Sequence, residues 1–348
     1  MGNKKKKQWG KILLIISGIL LLAGGLLGYQ VYRVFLKENV TAKEDYLYIR
    51  TGWTYQDVED ELRRKEVLEN LSTFQRAAKQ MDFPSRVKAG KFKLDPGMNN
   101  RSLINRLGGG LQEPVRVRFH NLRLKEEFAG KIGSQIEADS LAILSLLIDT
   151  ARITEYGFTP DNFFTLFIPN TYEFYWNTSA DQFLDRMHAE YQRFWTTERL
   201  AKADALNMTP QEVSILASIV NGEAMHQSEM PTIAGLYLNR LRRGMRLQAD
   251  PTVIFANQDF SIRRVLYRHL SFDSPYNTYL YTGLPPGPIN MPSIAAIDAV
   301  LNYEEHNYIF MCAKEDFSGY HRFAATQAEH NRNARLFQRA LNERNIMN

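Results

Sequence analysis

An uncharged apolar segment from Ile12 to Tyr32 constrains this chain more than any other feature of its sequence. About 20 apolar residues in a helix cross the hydrocarbon core of a bilayer. The segment is flanked by Lys11 and Arg33, and further lysines precede it. Because basic residues favour the cytoplasmic side, we expect residues 1–11 to form a basic cytoplasmic tail and residues 12–32 an uncleaved transmembrane helix. A cleaved signal peptide is the competing interpretation, although no convincing small-residue cleavage site follows the segment.

The composition of the chain indicates folded domains outside the membrane. Its 348 residues are 44% hydrophobic and 23% charged, which is enough to bury a sizeable core in two or three units. The net charge of +5 arises largely from the N-terminal lysines, and no basic stripe with interleaved aromatic residues follows, so nucleic acid is not an expected partner. The lone Cys312 excludes an intramolecular disulfide. We expect it to be a small buried hydrophobe in a strand.

A helix that begins after Thr209 contains the most informative single carboxylate, Glu223. Thr209 is a good N-cap, and Glu212 follows it at the spacing of a capping box. Leu216, Val220 and Glu223 share one helical face, so a helix that continues past Gly222 would direct the carboxyl group toward the core or a cleft. Burial there would raise the pKa of Glu223, as a general acid requires. The alternative is a structural carboxylate that ends the helix or pairs with an arginine such as Arg240.

The remaining pattern predicts an α+β protein with two units outside the membrane. Residues 38–110 contain two strand-like and two helix-like segments and end in a glycine run. Residues 111–348 begin with an alternating strand and continue through several amphipathic helices. We also expect the segment from Ser274 to Pro292 to be a rigid loop, because five prolines fix its backbone. Such a loop can present amides, hydroxyls and aromatic rings, which are the groups that commonly bind carbohydrate.

Four segments in consistent order resemble the endolytic murein transglycosylases of the MltG or YceG-like family. They are SIVNGEA, LNRLRRGMRLQADPTVIFA, YNTYLYTGLPPGPI and HRFAATQAEHN. The resemblance implies a larger α+β catalytic domain at residues 111–348 and a small LysM-like α+β module at residues 38–110. It also implies that Glu223 is the catalytic residue. Asn221 stands where the family commonly has another acid, so an accessory role for that position does not carry over.

The same motifs imply a set of substrate-binding residues. The segments that resemble the NRL and LQxDPT motifs, the proline-rich loop and the last motif contribute Asn239, Arg240, Gln248, Asp250, Thr252, Tyr276, Asn277, Thr278, Tyr279, His321, Phe323, His330 and Asn331. For Asp250 alone, the following proline makes a helix cap the simpler interpretation. His321 and His330 lack the close spacing of metal ligands, so we expect no metal and no cofactor.

Three hypotheses about function follow. The first is a membrane-anchored lytic transglycosylase that cleaves peptidoglycan glycan strands between N-acetylmuramic acid and N-acetylglucosamine, with Glu223 as acid and then base. The second is a muramidase in which Asp250 is the second carboxylate. The third is a non-catalytic glycan-binding scaffold of cell-wall synthesis. We expect the N-terminus in the cytoplasm, the catalytic domain on the outer side of the cytoplasmic membrane, and peptidoglycan synthases among the partners. Residues 38–110 would bind glycan or act as a stalk.

Overall fold

The computed structural model describes residues 2–41 and 43–344, with side chains from Gln8 onward. The predictions for Met1, for the side chains of residues 2–7 and for residues 345–348 lie outside the described part of the chain. The chain divides into two compact units. One contains the N-terminal region through Val115 together with Glu173–Thr178, and the other contains Arg116–Tyr172 and the rest of the chain.

The N-terminal helix α1 (Gly2–Val31) continues into a π-helical turn at Tyr32–Leu36. Within the described residues, one helical stretch, Gln8–Leu36, is long and apolar enough to cross a membrane. The charged Arg33 lies inside this stretch, so helix formation extends beyond the apolar segment. Val34 is buried in the core of the first unit, and its carbonyl accepts a hydrogen bond of 2.8 Å from Asn100 Nδ2. The end of the N-terminal helical stretch is therefore part of this core.

The first unit combines a two-stranded antiparallel sheet with three helices. Strand β1 (Tyr46–Ile49) pairs with β2 (Gly90–Lys93), and the helices are α2 (Tyr55–Arg64), α3 (Leu71–Gln80) and α4 (Asn100–Gly109). Alternate strand residues and one face of each helix fill a shared apolar core. Helix α3 begins earlier than its apolar pattern predicts, because Asn70 caps it by accepting a hydrogen bond from the backbone of Thr73.

A second short sheet pairs β3 (Pro114–Phe119) with β4 (Asn170–Tyr175). The apolar pattern from residue 141 to 153 predicts one helix, but the structure has two, α6 (Ser140–Ile148) and α7 (Thr150–Glu155). Asp149 adopts an extended conformation between them and caps α7 through the backbone nitrogens of Ala151 and Arg152. Side-chain capping outweighs the continuous apolar pattern here.

Helix α10 (Pro210–Glu223) forms the centre of the second unit, where it packs against α11 (Met230–Arg242), α12 (Asp250–Asn257) and α14 (Ile294–Leu301). A hairpin of β5 (Phe310–Ala313) and β6 (His321–Ala324) lies beside the last helix, α15 (Gln327–Glu343). Strand β6 was not among the expected elements, and it occupies the start of the HRFAATQAEHN motif. The remaining helices of this unit are α5 (Lys125–Gly133), α8 (Ala180–Phe194), α9 (Thr197–Ala205) and α13 (Tyr267–Leu270).

Candidate active site

The helix that carries Glu223 has the start and the buried face that its sequence predicts. Thr209 and Glu212 form a complete capping box at the start of α10, while Leu216 and Val220 are fully buried. The helix continues through Gly222 and ends at Glu223. A side chain at Gly222 would place its Cβ 2.9 Å from Cβ of Pro251, so glycine allows the end of α10 to approach α12 closely.

Glu223 lines a cleft of about 430 Å³ in the second unit. The walls come from α11, the segment before α12, the β5–β6 hairpin and α15. Seven of the expected site residues line this cleft, and they are Glu223, Arg240, Gln248, Asp250, Tyr279, His321 and His330. The fold thus brings together polar side chains from motifs that are far apart in the sequence.

Glu223 is partly buried at the cleft, and its carboxyl group has no cationic partner among the described residues. Its Oε1 accepts a hydrogen bond of 2.8 Å from the Tyr237 hydroxyl. Burial raises the pKa of Glu223 from 4.5 to about 7, with the Tyr237 hydrogen bond opposing this shift and the negative charge of Asp250 adding to it. Glu223 is therefore poised to exchange a proton near neutral pH.

Asp250 is exposed at the same cleft and makes a similar contact. Its Oδ1 accepts a hydrogen bond of 2.6 Å from the Tyr279 hydroxyl. The expected role of Asp250 as a helix cap is wrong, since α12 is preceded by Ala249 without a side-chain cap and Asp250 is its first residue. The carboxylate is consequently available to the cleft and to Tyr279.

Arg240 does not form the ion pair with Glu223 that was one of the two structural alternatives, whereas the other alternative holds in that Glu223 ends α10. Its guanidinium is buried and donates hydrogen bonds to the carbonyls of Arg246 and Ile309 and, at 2.5 Å, to Gln248 Oε1. Gln248 has a left-handed backbone, with φ of 52°. Such strain in a residue other than glycine is common at functional sites, and Arg240 fixes the amide that this backbone presents.

Two histidines form the opposite part of the cleft. His321 Nδ1 lies 3.0 Å from Oε2 of the buried Glu229, whose Oε1 accepts a hydrogen bond of 2.8 Å from the His321 backbone nitrogen. His330 stacks on Phe310 at a centroid distance of 5.2 Å. Burial lowers the pKa of His330, and its Nδ1 is buried without a hydrogen-bond partner within the described structure. The described residues contain no cluster of three or more metal-ligating side chains.

Six expected site residues support the cleft from behind it or lie apart from it. Asn239 Nδ2 donates to the carbonyls of His306 and Tyr308. Thr252 and Thr278 are buried, with their hydroxyls 2.7 Å apart. Asn277 is buried and donates to the carbonyls of Leu270 and Phe272. The other two are Tyr276, which packs on Phe255, and Phe323, which stacks on Tyr308. The proline-rich segment thus fixes the position of Tyr279 through buried hydrogen bonds.

Asn331 and Asn221 have local contacts. Asn331 is exposed and accepts a hydrogen bond from Gln327, whereas Asn221 accepts one of 3.3 Å from the Ser293 backbone nitrogen before α14. Cys312 lies in strand β5 as expected, but it is half-buried rather than buried and lines the cleft. Burial raises the pKa of its thiol, which disfavours a nucleophilic thiolate.

Two residues that hydrogen-bond to expected site residues were not among the expected ones. Tyr237 lies at the spacing of the apolar stripe of its helix, and Glu229 had no assigned role. Neither lies at a helical spacing from its partner, since Tyr237 contacts Glu223 from a different helix and Glu229 contacts His321 across a separation of 92 residues. The only local signal was that a tyrosine on a buried stripe requires a partner for its hydroxyl.

Comparison with known proteins gives consistent matches over most of the chain. The model of the YceG-like family matches residues 47–336. A protein of Streptococcus pneumoniae named endolytic murein transglycosylase is 26% identical over 351 residues, covering 90% of this chain and 62% of the relative. A Bacillus subtilis protein of the same name is 26% identical over 342 residues, covering 93% of each. The chain therefore spans less than two thirds of the length of the Streptococcus relative.

The fold has a similar solved structure as well. A crystal structure of a YceG-like protein from Listeria monocytogenes superposes with a TM-score of 0.54 and 26% sequence identity. The match covers 82% of this chain and 97% of the Listeria chain.

Proposed function

This chain belongs to the YceG-like family, and from that premise we propose that it is an endolytic murein transglycosylase. Its substrate is then the glycan strand of peptidoglycan, cleaved between N-acetylmuramic acid and N-acetylglucosamine. Relatives in Streptococcus pneumoniae and Bacillus subtilis that bear this enzyme name support the proposal. The single observation that supports it most strongly is the partly buried carboxyl group of Glu223 in the polar cleft, hydrogen-bonded to Tyr237 and with its pKa raised to about 7.

The reaction needs one group that gives a proton and later takes one back. In the first step the Glu223 proton moves to the glycosidic oxygen while the bond from this oxygen to C1 of the muramoyl unit breaks. In the second step the muramoyl C6 oxygen bonds to C1, and its hydroxyl proton moves to Glu223. The products are a strand with a free N-acetylglucosamine hydroxyl and a strand with a 1,6-anhydro end. Intramolecular attack replaces water and lowers part of the barrier through effective molarity.

The other polar side chains of the cleft are proposed to bind the sugars. Gln248 and Tyr279 offer amide and hydroxyl groups, while Arg240 fixes the Gln248 side chain. His330 brings a buried ring nitrogen that lacks a partner among the described residues. An acetamido or hydroxyl group of the substrate would satisfy such an atom, since an unpaired buried polar group costs about 1–3 kcal/mol.

A muramidase is the second candidate, favoured by the presence of Asp250 at the same cleft. Its charge acts on Glu223, so the two carboxyl groups are near one another. A hydrolase would use the pair to activate water or to form a covalent intermediate, and it would leave reducing ends. The support for a transglycosylase over a muramidase is the enzyme name that the relatives bear, together with the exposure of Asp250, which is desolvated less than Glu223.

The two candidates differ in product mass. The test is incubation of the purified full-length protein in detergent with uncrosslinked glycan strands, followed by mass analysis of the new ends. A transglycosylase gives anhydro ends, which lack the mass of one water, in amounts equal to the cuts. Reducing ends in place of anhydro ends would contradict the proposal and support the muramidase.

We further propose that residues 38–110 form a LysM-like module and that α1 anchors the chain with its N-terminus in the cytoplasm. The order β1, α2, α3, β2 with antiparallel strands supports the first proposal. The lysines before the apolar segment support the second. In a Cys312→Ser background, Lys79→Cys is expected to react with a membrane-impermeant maleimide on intact spheroplasts. Labelling that requires lysis would contradict this orientation.

A further inference from the structure

Tyr237 contacts the reactive group of the cleft from a rigid position. Its ring is 1% exposed, and its hydroxyl donates the 2.8 Å hydrogen bond to Glu223 Oε1. No second hydrogen bond to the Glu223 carboxyl group occurs in the described residues, and no ion pair involves it there. The tyrosine is therefore the one side chain in that part of the chain that restrains the carboxyl group directly.

Helix α11 is fixed on both sides of Tyr237. A Cβ at Gly235 would lie 2.3 Å from the carbonyl oxygen of Glu304, so the helix touches that segment at backbone distance. Asn239 Nδ2 then donates to the carbonyls of His306 and Tyr308 at 2.6 and 3.1 Å. A hydroxyl carried by such a helix is placed more accurately than one carried by a loop.

We infer that Tyr237 is a positioning residue that holds Glu223 Oε1, so that the proton exchanged with the sugar is carried on Oε2. This inference rests on the proposed transglycosylase function. In the first step the Oε2–H bond breaks and the proton moves to the glycosidic oxygen. In the second step the C6 hydroxyl proton returns to Oε2. The Tyr237 O–H bond remains intact throughout, and its hydrogen bond strengthens while Glu223 is charged.

The proposal predicts a signature in the dependence of rate on pH. A hydrogen bond donated to a carboxyl group favours the ionised form, so losing it raises the pKa of Glu223 further above 7. Because protonated Glu223 is the active form, kcat/KM falls as pH rises through this pKa, and the alkaline limb should move to higher pH. The other charged and titratable side chains that line the cleft around Glu223 are Arg240, Asp250, Tyr279, Cys312, His321 and His330.

The test is Tyr237→Phe in the full-length protein, which keeps the ring and removes the hydroxyl. We expect kcat to fall about ten- to hundredfold with little change in KM, as loss of a charge-assisted hydrogen bond predicts. The alkaline limb of kcat/KM should also move upward. The matched control is Tyr172→Phe, which removes another buried tyrosine hydroxyl bond, 2.6 Å to the Ile168 carbonyl. Tyr172→Phe should leave the alkaline limb of kcat/KM at the wild-type pH.

A second variant keeps the proposal testable if Tyr237→Phe folds poorly. Site-specific fluorotyrosine at position 237 retains the ring and makes the hydroxyl a stronger donor, so the limb should move to lower pH. The inference is overturned if the alkaline limb of kcat/KM lies at the wild-type pH in both variants at position 237. It is also overturned if the limb moves equally in Tyr172→Phe. If the wild-type protein released no anhydro ends, the proposed function would fail instead, so the two failures are distinguishable.

Discussion

Glu223 and Asp250 each accept a hydrogen bond from a tyrosine hydroxyl at the same cleft, but their surroundings differ. Glu223 ends a buried helix and is itself partly buried, so desolvation dominates and raises its pKa to about 7. Asp250 begins a helix at the exposed side of the cleft. A hydrogen bond to tyrosine therefore does not by itself decide what a carboxyl group can do; the extent of desolvation does.

The largest expected effect is that of Glu223→Gln on the rate. Removal of the proton donor should lower the release of anhydro ends by about a thousandfold, within the range of general acid catalysis. Mass analysis of strand ends measures the effect. Glu198→Gln is the matched control, because Glu198 is an exposed glutamate of the same unit that pairs with Lys202. If Glu223→Gln released anhydro ends in the wild-type amount, the different roles assigned to the two cleft carboxylates would be contradicted.

The same variant should increase stability, and the increase should depend on pH. The pKa of Glu223 rises from 4.5 to about 7 on folding, so the native state binds more protons and loses stability as pH rises through this window. At pH 8 we expect Glu223→Gln to raise the free energy of unfolding by roughly 1–3 kcal/mol, allowing for partial solvation. Denaturant unfolding should detect no such gain near pH 4. An equal gain at both pH values would contradict a raised pKa.

Asp250→Asn should lower the rate less than Glu223→Gln does. It should also shift the pH dependence of kcat/KM in the direction opposite to that expected for Tyr237→Phe. Loss of its negative charge lowers the pKa of Glu223, so the alkaline limb of kcat/KM should move to lower pH, with a rate loss of about tenfold. A loss as large as that of Glu223→Gln, together with reducing ends in the wild-type product, would instead identify Asp250 as the second carboxylate of a muramidase.

Tyr279→Phe should have the smallest effect of this series. The hydroxyl restrains an exposed carboxylate, and a hydrogen bond in such a setting contributes about 1 kcal/mol, or roughly fivefold in rate. In the Asp250→Asn background the same change should have less effect, since the two groups act together. A double-mutant cycle in kcat/KM measures this coupling. Full additivity would show that Tyr279 acts independently of Asp250.

The parts of this protein that were predictable depend on short-range patterns. The capping box of Thr209 and Glu212 and the buried stripe that leads to Glu223 are both set by residues within one or two helical turns. The apolar segment that forms the N-terminal helix is likewise recognised from consecutive residues. Two local signals conflict at Asp149, where the continuous apolar pattern favours one long helix and the side-chain cap favours a break. The structure contains two helices.

The composition of the site itself was less predictable. Motif resemblance grouped residues such as Asn277 and Thr278 with Tyr279, yet only Tyr279 lines the cleft. The other two are buried, Thr278 in a hydrogen bond with Thr252 and Asn277 in a hydrogen bond to the Leu270 carbonyl. A motif records which residues occur together in sequence, and it does not distinguish those that face a ligand from those that shape the backbone.

The sequence by itself determined the apolar N-terminal segment, the helix that carries Glu223 and the face on which this residue lies, because helical periodicity and capping act between near neighbours. Only the tertiary structure decided that Tyr237 donates to Glu223, that Arg240 does not pair with it, and that Glu229 holds His321. These contacts join separate elements, so they depend on how helices and the hairpin pack rather than on any spacing along the chain.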